Sequence, residues 1–181
     1  MTILSAVHRA IKAARNLVAL HVERRTLHDF VLDPDHQDRT ESTEFRKAKE
    51  TLKHDGRYSC WVCGCTKGLQ VHHLGCEWMF ANVVDFAKLK RALMAFDPYG
   101  YSKAMSDQPI TSVDDVRNML VLCQAHHTGV DHKDGGGGTG IHALTFSSWI
   151  AQAVCKISPV PRKGETFAQA KARVKAQEAS A

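Results

Sequence analysis

Cysteine and histidine are the residues of this chain whose types and spacing could do chemistry. Cys60-x-x-Cys63 precedes the tandem His72-His73, and Asn118 is followed by Cys123-x-x-His126-His127. Zinc takes four tetrahedral Cys or His donors, and a Cys-x-x-Cys turn presents two thiolates to one ion without strain. The second pair that closes such a site is Cys123-x-x-His126, giving a Cys3His set of Cys60, Cys63, Cys123 and His126. The long stretch between the two pairs then becomes a loop tied at its base. Three of the six cysteines crowd into residues 60–65, a clustering that suits metal ligation better than a disulfide framework. Cys65 is an alternative thiolate beside Cys63, while Cys76 and Cys155 read as buried thiols.

The histidines divide in the same way. Adjacent side chains on a strand point to opposite faces, so His72 and His73 suit two different jobs better than one shared ion. On a helix His126 and His127 stand about 100 degrees apart, so one can face a structural ion while its neighbour faces elsewhere. The knuckle, the tandem histidine, the asparagine and the Cys-x-x-His-His, in this order over residues 50–135, resemble the His-Asn-His (HNH) endonuclease family. That family usually offers a second Cys-x-x-Cys where this chain has Cys123-x-x-His126. The departure is conservative, because imidazole is an equally good zinc donor.

The resemblance implies an α+β protein with a ββα-metal core, a structural zinc site and helical elaborations at both ends. It implies metal-dependent hydrolysis of DNA phosphodiester bonds with one divalent cation, Mg2+, Mn2+, Ni2+ or Zn2+, and a histidine general base. His72 corresponds to the first metal-ligand position. His73 corresponds to the base, a role histidine suits because it changes charge near neutral pH. Asn118, nine residues before His127, corresponds to the asparagine that braces the loop carrying the base, and His127 to the second ligand. The cation would stabilise the leaving 3′ oxygen, so the products carry 5′ phosphate and 3′ hydroxyl ends. Asp131, one turn beyond His127, is a further candidate ligand with His132 as its competitor, and a solvated helix face is the plain alternative for both. His142, after the glycine run, reads as a surface histidine, with covering the site as its other reading. Double-stranded DNA is the expected partner. A nuclease for RNA or junctions, and a noncatalytic zinc-stabilised DNA-binding or inhibitor module on the same fold, are the rivals. By analogy the setting is a phage or mobile element.

The elements that must position these residues follow from pattern. Ile3, Val7, Ile11, Ala14 and Val18 predict an amphipathic helix over 2–30, broken at Asp33-Pro34. Further helices are predicted over 41–53, ending at Asp55-Gly56, over 77–96, from Gln124 onward and over 146–156. Strands are predicted over 68–74 and 119–122, and a Thr166-x-x-Gln169 capping pattern opens a last basic helix. The chain divides into an N-terminal helical extension (1–50), a nuclease domain (51–156) and a basic, partly flexible tail (157–181). Within the domain, a helical insertion over 75–117 exceeds what the family core needs. It could be a specificity element, a dimerisation surface or extra core, and an oligomer stays open.

With 181 residues, 44% hydrophobic and 24% charged, the chain suits one elaborated domain better than two. No apolar run approaches the ~18 residues of a membrane span, and residues 1–30 carry charges throughout, so a soluble cytoplasmic protein is expected. A net charge of +5 favours acidic partners without identifying one. Arg46, Lys47, Lys49, Lys53 and Arg57 are the candidate phosphate contacts, each equally readable as a solvated helix face. If structural and catalytic roles separate as drawn, Cys60→Ser or Cys123→Ser lowers stability while His73→Ala leaves folding intact.

Overall fold

A computed structural model of the chain describes residues 40–129, 140–143, 146–157 and 161–178. The helix expected over 2–30, the candidate ligands Asp131 and His132, and the run of four glycines lie outside the described residues. Among the described residues the fold is α+β, with six α-helices and a two-stranded antiparallel sheet.

Helix α1 (Thr43–His54) begins where the Ser42 hydroxyl accepts the Phe45 amide at 2.9 Å. Glu44 in its first turn and Lys53 and His54 in its last complement the helix dipole. Its buried stripe is Phe45, Ala48 and Leu52. The turn that follows is closed by Gly56 at φ 67°, a backbone conformation that costs glycine little.

Strand β1 (Leu69–His73) pairs with β2 (Met119–Cys123) in a register that sets His72 opposite Leu120 and His73 opposite Met119. Every residue of β2 is buried, because the sheet is covered on both faces. Met119 and Val121 pack with Val71 against Phe45, Ala48 and Leu52 of α1. Leu120 and Leu122 face the larger cluster, which includes Leu74, Leu89, Leu93 and Val154. A strand buried on both sides reads as an unbroken apolar run, as Met119-Leu-Val-Leu does.

The connection from β1 to β2 carries a 3-10 turn (Trp78–Phe80), α2 (Phe86–Ala95), α3 (Tyr101–Ala104) and a second 3-10 turn (Val116–Asn118). The single helix expected over 77–96 is thus divided. Val84 is extended and bridges to Cys155, with the Asp85 amide on Val154 O and the Lys156 amide on Val83 O. The Asp85 carboxylate then caps a new helix through the Lys88 amide at 3.0 Å. Phe80, Leu89, Leu93, Ile110 and Val113 are buried, so this insertion supplies core.

Beyond β2 come α4 (Gln124–His127), a 3-10 turn (Ile141–Ala143), α5 (Phe146–Val154) and α6 (Phe167–Glu178). The start of α6 is a reciprocal capping box, with the Thr166 amide on Gln169 Oε1 at 2.8 Å and the Gln169 amide on Thr166 Oγ1 at 3.3 Å. No helix of the described residues is long and apolar enough to cross a membrane.

Arg117 anchors the insertion just before β2. The residue is 4% exposed, and its guanidinium pairs with both carboxylate oxygens of Asp115 at 2.7 and 2.6 Å and donates to the carbonyls of Met105, Gln108 and Pro109. Arg117→Ala strands a partly buried carboxylate and three carbonyls, and is expected to cost ~3–5 kcal/mol in urea unfolding. A loss below ~1 kcal/mol would show the clamp to be dispensable.

Candidate metal centres

Cys60 and Cys63 sit in the turn before β1, Cys123 ends β2, and His126 lies one turn into α4. Chain reversal within the knuckle is fixed by amide bonds from Gly64 to Cys60 O and from Cys60 to Cys65 O. The Trp61 amide reaches Val121 O at 2.9 Å and joins the knuckle to β2. As a result, one ligand atom from each of Cys60, Cys63, Cys123 and His126 lies within 4.8 Å of all the others, a cluster that could hold a metal ion. Tetrahedral zinc with bonds of ~2.3 Å to sulfur and ~2.05 Å to nitrogen has edges of about 3.8 Å between sulfurs and about 3.5 Å between sulfur and nitrogen. The observed separations are 3.9 Å between Cys63 and Cys123 Sγ, and 3.5 and 3.2 Å from Cys60 and Cys123 Sγ to His126 Nδ1. The donor set therefore fits zinc.

The thiol electrostatics point the same way. Burial pushes the Cys60 thiol up, but the backbone amides of Cys123, Cys63 and Val62 outweigh it and bring it to about 6. At Cys63 the Cys65 amide pulls down, while the sulfurs of Cys60, Cys65 and Cys123 push the thiol up to about 11. Crowded sulfurs resist carrying several negative charges together, and a bound cation removes that resistance. Cys65 itself stands outside the four-ligand cluster, with its Sγ on Lys67 O at 3.7 Å.

A second cluster lies on the neighbouring surface of the sheet. His72 from β1, His127 from α4 and His142 from the Ile141–Ala143 turn each place a ring nitrogen within 4.8 Å of the others. Ring centroids are 5.2 Å apart for His72 and His127, 4.9 Å for His72 and His142, and 4.6 Å for His127 and His142. Glu77 Oε1 lies 3.0 Å from His72 Nε2, and Gln70 Oε1 lies 2.6 Å from His127 Nδ1. Burial pushes the Glu77 carboxyl up, but the His72 hydrogen bond and the charges of His72, His73 and His142 hold it below its ordinary value. Burial and the neighbouring His72 lower His142. His72, Leu74, Glu77, Ile141, His142 and Ile150 line a small open pocket here.

His73 is not part of this group. Strand alternation turns it to the other face, where its ring packs 5.6 Å from Phe45 and its Nε2 bonds Asp114 Oδ1 at 2.7 Å. Asp114 Oδ2 in turn accepts from Ser42, the residue that caps α1. The His73 side chain is 1% exposed, and among the described residues Glu77 stands between it and the second cluster, with Oε2 3.8 Å from Nδ1. Burial also alters the expected effect of replacing His73, since removal breaks the buried hydrogen bond to Asp114 Oδ1.

Asn118 is fully buried and its side chain makes four hydrogen bonds. Its Oδ1 accepts the amides of Gly75 and Cys76, and its Nδ2 donates to Cys76 O and Val113 O. This ties the loop leading from His73 to Glu77 onto the segment that carries Asp114. Arg46, Lys47, Lys53 and Arg57 are exposed and Lys49, paired with Glu41, is partly so. The first four of these basic residues in chain order lie on α1, which packs on the His73 face of the sheet, away from His72.

Sequence reasoning missed Gln70, Glu77 and Asp114 and set His142 aside as a surface residue. Their signal is tertiary, since no spacing rule ties any of them to the histidines they contact. Comparison of the chain with protein-family models, with curated proteins and with solved structures finds no match.

Protein purified without chelator should hold about one tightly bound zinc per chain by elemental analysis, and Cys123→Ser should lose both zinc and thermal stability. His73→Ala should keep the zinc yet cost ~1–3 kcal/mol, through loss of the buried hydrogen bond between His73 Nε2 and Asp114 Oδ1. Zinc-free protein that melts as the loaded protein does would contradict the assignment.

Proposed function

We propose that the protein is a metal-dependent endonuclease of the HNH type, with a ββα-metal core formed by β1, β2 and α4. The observation that carries this reading is the meeting of His72 and His127 beside, and separate from, a Cys3His cluster. The chain order of strand, strand and short helix, and the bracing bonds of Asn118, support it further.

In this reading Cys60, Cys63, Cys123 and His126 hold a structural zinc, and His72 and His127 hold the catalytic divalent cation. That cation supplies a positive charge for the scissile phosphate and for the leaving oxygen. Gln70 Oε1 on His127 Nδ1 and Glu77 Oε1 on His72 Nε2 would hold the two rings in orientation. Asn118 holds the loop that presents Glu77. His73 is the candidate general base, and its reaching water from this buried position would require Glu77 to close the 3.8 Å gap to its Nδ1, with Asp114 on Nε2 to stabilise the imidazolium. The exposed cations of α1 and the basic tail attract the polyanionic substrate, double-stranded DNA by preference.

One observation favours a second reading. A base that is 1% exposed and faces away from His72 and His127 also suits a zinc-stabilised DNA-binding module that does no cleavage.

Plasmid incubated with zinc-loaded protein should be cut when Mg2+, Mn2+ or Ni2+ is added, and His127→Ala should lower the rate at least ~100-fold with folding unchanged. If folded wild type cuts no form of DNA or RNA with any of these ions, the binding module replaces the nuclease.

A further inference from the structure

We propose that His142 is the third protein ligand of the His72–His127 centre, seated there by Gly140, and that the completed three-histidine site selects a borderline transition metal over Mg2+. The proposal rests on the reading above that His72 and His127 hold an ion.

Two independent features place His142. The first is its ring. His142 Nε2 lies 3.0 Å from His127 Nε2, while His127 Nδ1 faces the carbonyl oxygen of Gln70 at 2.6 Å. An amide oxygen only accepts, so His127 carries its proton on Nδ1 and turns a lone pair toward His142. A single N–H···N hydrogen bond would explain that pair alone. It does not explain why His72 also comes within 4.8 Å of both, with the Glu77 carboxylate bonded to its Nε2. Three imidazoles converging with carbonyl and carboxylate partners behind two of them is the arrangement of a ligand set and its outer shell.

The second feature is Gly140. A Cβ on this residue would stand 2.3 Å from the Gly129 nitrogen, 2.5 Å from His127 O and 2.6 Å from the Thr128 carbonyl carbon. All three are backbone atoms of the segment that ends α4, so they cannot swing aside. Only glycine lets the Ile141–Ala143 turn lie this close to the helix carrying His127. Ile141 packs into the main core and fixes the turn from the other side. His142 is thereby delivered to His127 by backbone packing, independently of any bond between the rings.

Ligand chemistry then sets the metal. Mg2+ prefers hard oxygen donors in an octahedron and gains little from neutral imidazole. Zn2+, Ni2+ and Co2+ bind imidazole well, and three such donors leave positions for water and a phosphate oxygen.

The test is calorimetric titration of Ni2+ into protein already holding its structural zinc. Wild type should take up one further Ni2+ that millimolar Mg2+ does not displace. His142→Ala should weaken that uptake at least ~10-fold, with unchanged circular dichroism and zinc content. Gly140→Ala should weaken it as well, and His142→Gln serves if the glycine variant fails to fold. Uptake by His142→Ala and His142→Gln as tight as by wild type, or Mg2+ competing with Ni2+ on equal terms, overturns the proposal. His127→Ala separates the two levels of the argument. Loss of Ni2+ in His127→Ala but not in His142→Ala removes His142 and keeps the two-histidine site, whereas full retention in His127→Ala removes the site itself.

Discussion

The metal-ligand cluster at the base of the sheet is the constraint on which the rest of the structure depends. It joins the knuckle before β1 to the end of β2 and the first turn of α4, elements separated by the whole insertion. Closing a loop of that length removes roughly 4 kcal/mol of chain entropy from the unfolded state, if a bound ion acts as a covalent link would. A helix of four residues such as α4 has no stability of its own. Its position, and with it that of His127, comes from His126 being held to Cys60 and Cys123.

Alternation along β1 does the second half of the work. His72 and His73 are neighbours in sequence, yet one faces His127 and His142 and the other faces Asp114 and Phe45. Glu77 lies between their rings, and Asn118 holds the loop that brings it there. The insertion is therefore part of the site's foundation: it contributes Glu77 and Asp114, fills the core with Leu89, Leu93 and Val113, and is anchored by Arg117. The hydroxyl oxygen of Tyr99, from the same segment, accepts the Val121 amide at 3.0 Å and secures β2 directly.

What the sequence made legible was local. The Cys-x-x-Cys turn, the Cys-x-x-His pair, the run Met119-Leu-Val-Leu and the Thr166-x-x-Gln169 capping box all encode their geometry within a few residues. Cys60, Cys63, Cys123 and His126 met as expected: spacing lets each turn present its own pair, and the bond of the Trp61 amide to Val121 O brings the two pairs together. The division of the helix expected over 77–96 was not legible, since Val84 is drawn into an extended bridge by Cys155, which is remote in sequence. Nor was the burial of His73, which depends on Asp114 from the far end of the insertion. His142 was read first as a surface histidine, which its exposure bears out, and its meeting with His72 and His127 was not legible for a related reason. Its place is set by the contact of Gly140 with the backbone of residues 127–129, and a glycine beside a glycine run gives no hint of it.

X-ray absorption at the zinc edge, on protein carrying a single equivalent of zinc, would show directly whether the cysteine cluster holds the ion. Three sulfur neighbours at ~2.3 Å and one nitrogen at ~2.05 Å, the shell of Cys60, Cys63, Cys123 and His126, are the expected result. A shell of nitrogen and oxygen alone would mean that the ion prefers the histidine cluster and that the cysteines do not tie the fold together.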